Sequence, residues 1–319
     1  MERVCRIYGM QWFILHQNIQ TVMNNILPTK ESSKLYHILA ILTVGVWGTT
    51  FISTKILIEN GLQPHEIFLL RFLVAYIGIW FISPAKLFAK SWRDELLLLL
   101  SGFTGGSLYF LTENTALSYT QTTNVAFIIC TTPLLTTMLS LLTDKEEKVN
   151  RHIIIGSVIA LIGVALLIFN GSFVLQLSPA GDLLTLAAAL SWSVYSLIIR
   201  KLSGRYNSAF ITRKVFFYGL LTVLPVFLLK PFSFAAEGFA NPAVWMNLAF
   251  LGVLASLVCF VVWNIVLKQL GTIQSSNYLY LNPLFTIVAA SMFLDEKLTV
   301  YAIGGVVLVL LGVFFSTKK

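Results

Sequence analysis

The stretch "WGTTFISTK" (residues 47–55) has a counterpart further along the chain in "WSVYSLIIR" (residues 192–200): each is a tryptophan followed eight residues later by a basic residue that closes an uncharged run. Working outward from this pair, the two halves of the chain repeat one another. Gly102 and Gly106 match Gly252 and Ser256, Asn114 matches Asn264 and Pro133 matches Pro283, all at an offset of 150 residues. Gly156 and Gly163 match Gly305 and Gly312 with the same seven-residue gap, and Glu147 and Glu296 precede these pairs by nine residues.

The matching segments are too apolar for water. Of 319 residues, 57% are hydrophobic and 11% charged, whereas a soluble domain carries about 25% charged residues. A hydrocarbon core of about 30 Å takes about 20 apolar residues per helix. Uncharged runs cover residues 35–54, 96–112, 114–143, 183–199, 238–267, 269–294 and 298–317. Divided at their turn signals, the apolar segments give about ten spans, near residues 35–58, 65–84, 95–117, 122–142, 152–170, 181–200, 210–229, 244–267, 273–293 and 299–316. The expected fold class is therefore an all-α polytopic membrane protein. Five spans per half is an odd number, so the second copy enters the bilayer upside down: residues 35–170 and 181–316 form two inverted five-helix repeats. Inverted repeats are a recurrent device of secondary transporters.

Residues 1–34 hold no apolar run long enough to span and no small-residue cleavage pattern, and they read as a cytoplasmic tail with two candidate starts, Met1 and Met23. Cytoplasmic loops of membrane proteins collect Lys and Arg. With the N terminus inside, 18 of the 22 basic residues fall on the inner side, leaving Lys55, Arg71, Lys230 and Lys297 at or near the other face. The expected location is the cell inner membrane, multi-pass, with both termini cytoplasmic. The same topology accounts for the net charge of +8 without a nucleic-acid partner.

At this level the residues resemble a known family. "WGTTFISTK", "ENTALSYT", "GDLLTLAAALSWSVYSLIIRK", "NPLFTIVAASMFLDEKLT" and "GGVVLVLLGVFF" are similar to the paired EamA-type domains of the drug/metabolite transporter superfamily, over about residues 36–316. The resemblance implies ten helices in two five-helix bundles around a central cavity, the fifth and tenth peripheral, in proteins that mostly export amino acids, related metabolites or small drugs. The first half departs from the pattern at "TDKEEKVN" (residues 143–150), where the second has the more typical "LDEKLT".

Polar residues inside the spans are the candidate site. Glu113 either faces the cavity, binding a substrate amino group or taking up a proton, or reaches outer headgroups if its helix ends near residue 112; an intramembrane acid defaults to the first. Asn114 and Asn264, matched in the repeat, are read first as interhelical hydrogen-bonding groups and second as substrate contacts. Trp47, Trp192, Tyr109, Tyr195, Trp263 and Tyr278 supply aromatic faces for a planar or cationic substrate. Trp47 and Trp192 stand out, because they lie halfway along their spans, whereas other Trp and Tyr also suit the membrane interface. Pro133 and Pro283 are expected to bend the fourth and ninth spans as gating or packing kinks. Arg71 and Arg213, near the starts of spans two and seven, are expected at the pathway mouths, holding a carboxylate or snorkelling to headgroups. Gly102 and Gly106 read as packing residues.

Catalytic and cofactor chemistry finds no footing. His16, His37, His65 and His152 lie in the tail or at span ends, and Cys5, Cys130 and Cys259 form neither a CxxC pair nor a metal cluster. There is no glycine-rich GK[ST] loop for ATP-driven pumping. The expectation is a secondary transporter without cofactor, partnered by a small-molecule substrate, the lipid bilayer and, as a candidate coupling ion, the proton. Amino acids or their derivatives are the first substrate class. A drug or nucleotide-sugar carrier of the same fold is the alternative, with a non-transporting sensor or scaffold behind it.

Overall fold

A computed structural model describes residues 32–84, 87–120, 122–143, 150–169, 178–294 and 300–317. Most of the tail with its two candidate starts, together with Cys5, His16, Glu147 and Glu296, lies outside the described residues. Those described are helical, with no strand among them.

In chain order the helices are α1 (Ser32–Glu59), α2 (Pro64–Ile82), α3 (Trp92–Tyr119), α4 (Thr122–Ile129), α5 (Thr132–Thr143), α6 (Arg151–Phe169), α7 (Pro179–Ser203), α8 (Ser208–Leu229), α9 (Pro242–Leu270), α10 (Thr272–Ser276), α11 (Asn282–Leu294) and α12 (Val300–Thr317). Seven are long and apolar enough to cross a membrane: α1, α2, α3, α7, α8, α9 and the segment Asn124–Thr143 that joins most of α4 to α5. Shorter apolar stretches lie in α6 (Arg151–Leu166) and α12 (Ile303–Ser316). Large apolar side chains such as Leu42, Phe81, Leu228 and Phe314 are exposed along these helices. A soluble protein would bury such surface; a multi-pass membrane protein turns it to lipid.

Local chemistry sets the ends. Pro64 opens α2 behind Gln63, whose backbone N–H donates to Glu66 Oε2 at 2.9 Å, a reciprocal cap. Ser91 caps α3 by accepting from Asp94 N, and Asn207 and Asn241 cap α8 and α9 through Ala209 N and Ala243 N. Gly61 and Gly271, at φ +97° and +83°, turn the chain after α1 and α9 in a region other residues avoid.

The internal repeat has a structural counterpart. α3 and α9 begin at 92 and 242, α4 and α10 at 122 and 272, and α5 and α11 at 132 and 282, each pair 150 residues apart. Both α3 and α9 contain a π-helical segment, at Phe103–Leu108 and Phe250–Val258. Packing repeats as well. A Cβ on Gly102 of α3 would come within 2.5 Å of Tyr218 on α8, and one on Gly252 of α9 within 2.8 Å of Val74 on α2, so both glycines permit close helix approach. On α6 and α12, a Cβ at Gly156 would meet Gly312 O at 2.5 Å, and one at Gly163 would meet Gly305 O at 2.8 Å. The early glycine of one helix thus faces the late glycine of the other, and the pair runs antiparallel.

The prolines act differently from the kink the sequence suggests. Pro133 is the second residue of α5, after a break at Cys130 and Thr131, and Pro283 is the second residue of α11, after a 3-10 segment, Asn277–Leu281. Proline fits the first turn of a helix, whose N–H groups have no partner in that helix, so each residue starts a helix beyond an interruption.

Candidate functional site

The chain encloses a cavity whose lining comes from both halves: Trp47, Thr50 and Phe51 on α1, Arg71 on α2, Tyr109, Phe110 and Glu113 on α3, Ile129 on α4, Thr132 on α5, Trp192 on α7, Phe260 on α9, Leu279 in the 3-10 segment and Asn282 on α11. The space left free inside it is small, about 30 Å³, room for about one water molecule as it stands. Much of the lining is paired by the repeat. Phe110 and Phe260, Ile129 and Leu279, and Thr132 and Asn282 stand 150 residues apart, and Trp47 and Trp192 are the matched tryptophans of the opening motif.

The rings form one connected wall. Trp47 meets Trp192 with centroids 5.2 Å apart and planes at 88°, and lies 6.0 Å from Phe260. Tyr109 sits 5.0 Å from Trp192, and Phe110 is 6.3 Å from Phe260. The π segments hold this wall in place. π turns disturb the regular backbone ladder and concentrate at functional sites, and here their carbonyls accept from side chains: Trp47 Nε1 donates to Ala255 O at 2.9 Å, and Ser191 Oγ to Thr104 O at 2.6 Å.

The charged groups break the symmetry. Arg71, 1% exposed, donates through Nε to Ser256 Oγ at 3.0 Å, and its guanidinium lies 4.1 Å from the Phe110 centroid. Glu113, 5% exposed, accepts from Tyr109 Oη at 2.7 Å. Its helix continues to Tyr119, past the end near residue 112 on which the headgroup alternative rested. The repeat positions matching Arg71 and Glu113 carry Arg213 and Trp263, and neither lines the cavity. Among the described lining residues Arg71 is the only cation and Glu113 the only acid.

The remaining sequence candidates divide clearly. Trp47, Trp192, Tyr109, Glu113 and Arg71 line the cavity, Arg71 by reaching inward where a pathway mouth is its expected place. Asn114 donates to Pro64 O at 3.2 Å, and Asn264 bridges two helices, accepting from Tyr195 Oη at 2.8 Å and donating to Thr212 Oγ1 at 2.9 Å. Both asparagines thus serve as interhelical bonds. Trp263 backs Trp47 at 5.1 Å, and Tyr278 Oη pairs with His37 Nδ1. Arg213 donates to Ser83 O and covers the Trp80 ring at 4.6 Å. Pro133 and Pro283 adjoin Thr132 and Asn282, which line the cavity. Sequence reasoning missed Thr50, Phe51, Phe110, Ile129, Thr132, Phe260, Leu279 and Asn282; the shared offset of 150 was the signal available for six of them.

Away from the cavity, the start of α3 is tied to the α7–α8 turn and to α8. Asp94 accepts from Arg205 Nη1 at 2.6 Å and Tyr206 Oη at 2.8 Å, and Glu95 accepts from Lys214 Nζ and Tyr218 Oη. No grouping of three or more His, Cys, Asp or Glu that could hold a metal occurs among the described residues.

Comparison with known proteins agrees with this architecture. A transporter of Archaeoglobus fulgidus is 29% identical over 291 residues, covering 89% of this chain and 97% of its own. An Escherichia coli protein named "Probable amino-acid metabolite efflux pump" is 26% identical over 292 residues, 88% and 93% of the two chains, and a protein of the same name from Salmonella typhimurium is 25% identical over 288 residues, 87% and 93% of the two chains. A crystal structure 17% identical superposes with a TM-score of 0.71 over 88% of this chain and 98% of the other, a likeness of fold alone. The chain matches the EamA-like transporter family over residues 34–169 and 179–318, and it belongs to that family.

Proposed function

We infer that this protein is a secondary transporter that exports small metabolites, amino acids or their derivatives first among them, by alternating access. The observation that carries the reading is the cavity lined by residues that pair across the repeat, with Trp47 against Trp192 at the seam. Transporters built from two like halves bind substrate between them and expose it to each side in turn.

Residues 35–170 and 181–316 are on this reading two inverted five-helix repeats, ten spans in all. The antiparallel contact of α6 with α12 through Gly156, Gly163, Gly305 and Gly312 supports the inversion, since matched helices of inverted repeats run in opposite directions. α10, the 3-10 segment and α11 together make the ninth span, broken in the middle; broken helices suit membrane depth only where they line a cavity, and Leu279 and Asn282 do so. The distribution of Lys and Arg supports an inner-membrane location with both termini cytoplasmic. Glu113, the acid of the cavity, is the proposed site of proton exchange if export is coupled to proton entry.

The relatives named for amino-acid metabolite efflux support the substrate class. Most nucleotide sugars carry two phosphates and call for several cations, and the described lining supplies one. Purified protein in liposomes preloaded with a single amino acid tests the reading. Labelled amino acid outside is expected to enter faster than into protein-free liposomes for a subset of the twenty; no acceleration for any of them, from folded protein, overturns it.

A further inference from the structure

The repeat accounts for two ring pairs of the cavity, Trp47 with Trp192 and Phe110 with Phe260, but not for its charges. Arg71 and Glu113 face the same space without a matching pair in the second half, so the architecture does not demand them. Each is expensive in a membrane interior. The ion pairs between described residues are Arg205 with Asp94 and Lys214 with Glu95; Arg71 and Glu113 line one cavity beyond ion-pair contact, near enough to feel each other's charge.

Their hydrogen bonding is incomplete in a directed way. Arg71 has Nε fixed on Ser256 and its guanidinium over Phe110, and Nη2 has no partner. Trp192 Nε1, a donor, and Thr132 Oγ1 and Asn282 Oδ1, which accept, are likewise buried without partners, and all three residues line the cavity. Buried polar groups are normally satisfied. The cavity therefore offers spare donors, spare acceptors, one cation and one anion, inside an apolar ring wall.

We propose that Arg71 and Glu113 grip the two ends of a zwitterion, the guanidinium taking the carboxylate and the Glu113 carboxylate the ammonium of an unmodified α-amino acid with an uncharged, apolar side chain. This rests on the transport reading above and adds to it which groups confer selectivity. An arginine fork suits a carboxylate, with Trp192 Nε1 as a second donor, and the ammonium has Asn282 Oδ1 and Thr132 Oγ1 as further acceptors. A charged substrate side chain would find no third charge in the lining to oppose it. A ligand lacking either end would leave Arg71 or Glu113 buried with only its neutral partner, Ser256 or Tyr109, which costs more than the contact itself contributes.

The test uses full-length protein in liposomes exchanging labelled leucine or phenylalanine, with unlabelled competitors. The free amino acid is expected to compete, while its methyl ester and its N-acetyl derivative compete at least about tenfold more weakly, because sites built for a polar group reject analogues that lack it. In Arg71→Gln the penalty on the ester shrinks while that on the N-acetyl compound persists; in Glu113→Gln the pattern reverses. Should a variant fail to fold, competition on the unaltered chain decides. Derivatives that compete as well as the parent overturn the charge-pair assignment and leave the carrier standing; absence of exchange for every amino acid overturns both.

Discussion

Trp47 and Trp192, which occupy the same place in the two halves of the chain, touch edge to face with centroids 5.2 Å apart. On the proposed reading of two inverted repeats, matched residues meet only near the axis that relates the halves, and this contact would mark their seam at the cavity. Such ring pairs contribute about 0.5–1.5 kcal/mol beyond the area they bury. Truncating either ring, Trp47→Ala or Trp192→Ala, is expected to lower exchange in liposomes by tenfold or more, and by similar factors, an order of magnitude consistent with the loss of 1.4 kcal/mol or more. Trp245→Ala, at an exposed position of α9, is expected to leave exchange near its original rate.

The α6–α12 contact predicts a stability effect separate from transport. A Cβ on Gly156 would lie 2.5 Å from Gly312 O, and one on Gly312 would lie 2.4 Å from Ala160 N; backbone on the far side cannot rotate away. Gly156→Val and Gly312→Val should each cost about 1–3 kcal/mol of overpacking, read as a lower melting midpoint in detergent. Gly304→Ala, with open space around it, is expected to leave the midpoint in place.

Asn264 holds α7, α8 and α9 together through Tyr195 and Thr212. Interhelical hydrogen bonds in membranes average about 0.6 kcal/mol. Asn264→Ala is therefore expected to shift the melting midpoint modestly and to leave the order of preference among competing amino acids unchanged. A changed order of preference would move Asn264 back among the substrate contacts.

Lys214, buried at the side chain to 5% exposure, pairs with Glu95. Removing one partner of a buried pair strands the other charge at a cost of about 3–5 kcal/mol, whereas replacing both by apolar groups is often neutral; Glu95 keeps 21% of its side chain exposed, which draws the cost toward the lower figure. Lys214→Met should melt well below the parent, and the double variant Lys214→Met with Glu95→Leu should recover most of the loss.

Much of this organisation is legible in the sequence, because repetition leaves a mark that survives in the order of residues. Trp47 with Trp192, Gly102 with Gly252 and the glycines of α6 and α12 are all visible as matched spacings, and each proves to be a contact or a close approach. Arg71 shows what linear reading misses. Two turns into α2 it resembles a snorkelling end-of-span cation, and what draws it into the cavity is Ser256, 185 residues away on α9. Phe110 and Phe260 are hidden among 24 phenylalanines, although their offset of 150 sets them apart. Pro133 and Pro283 misled in the opposite sense. A proline within a long apolar run reads as a kink, and only the interruption before each one shows that it begins a new helix.

The most direct test of the account asks whether substrate occupies this cavity. In a chain whose Cys5, Cys130 and Cys259 are replaced by alanine, Thr50→Cys places a single thiol on the cavity wall, and its rate of labelling by a small methanethiosulfonate reagent is followed with and without amino acid. The account predicts that amino acids able to exchange slow the labelling in proportion to their occupancy, while those that do not exchange leave it unchanged. Labelling at the same rate at saturating concentrations of an amino acid that the protein demonstrably carries would place the transport site elsewhere and contradict the account.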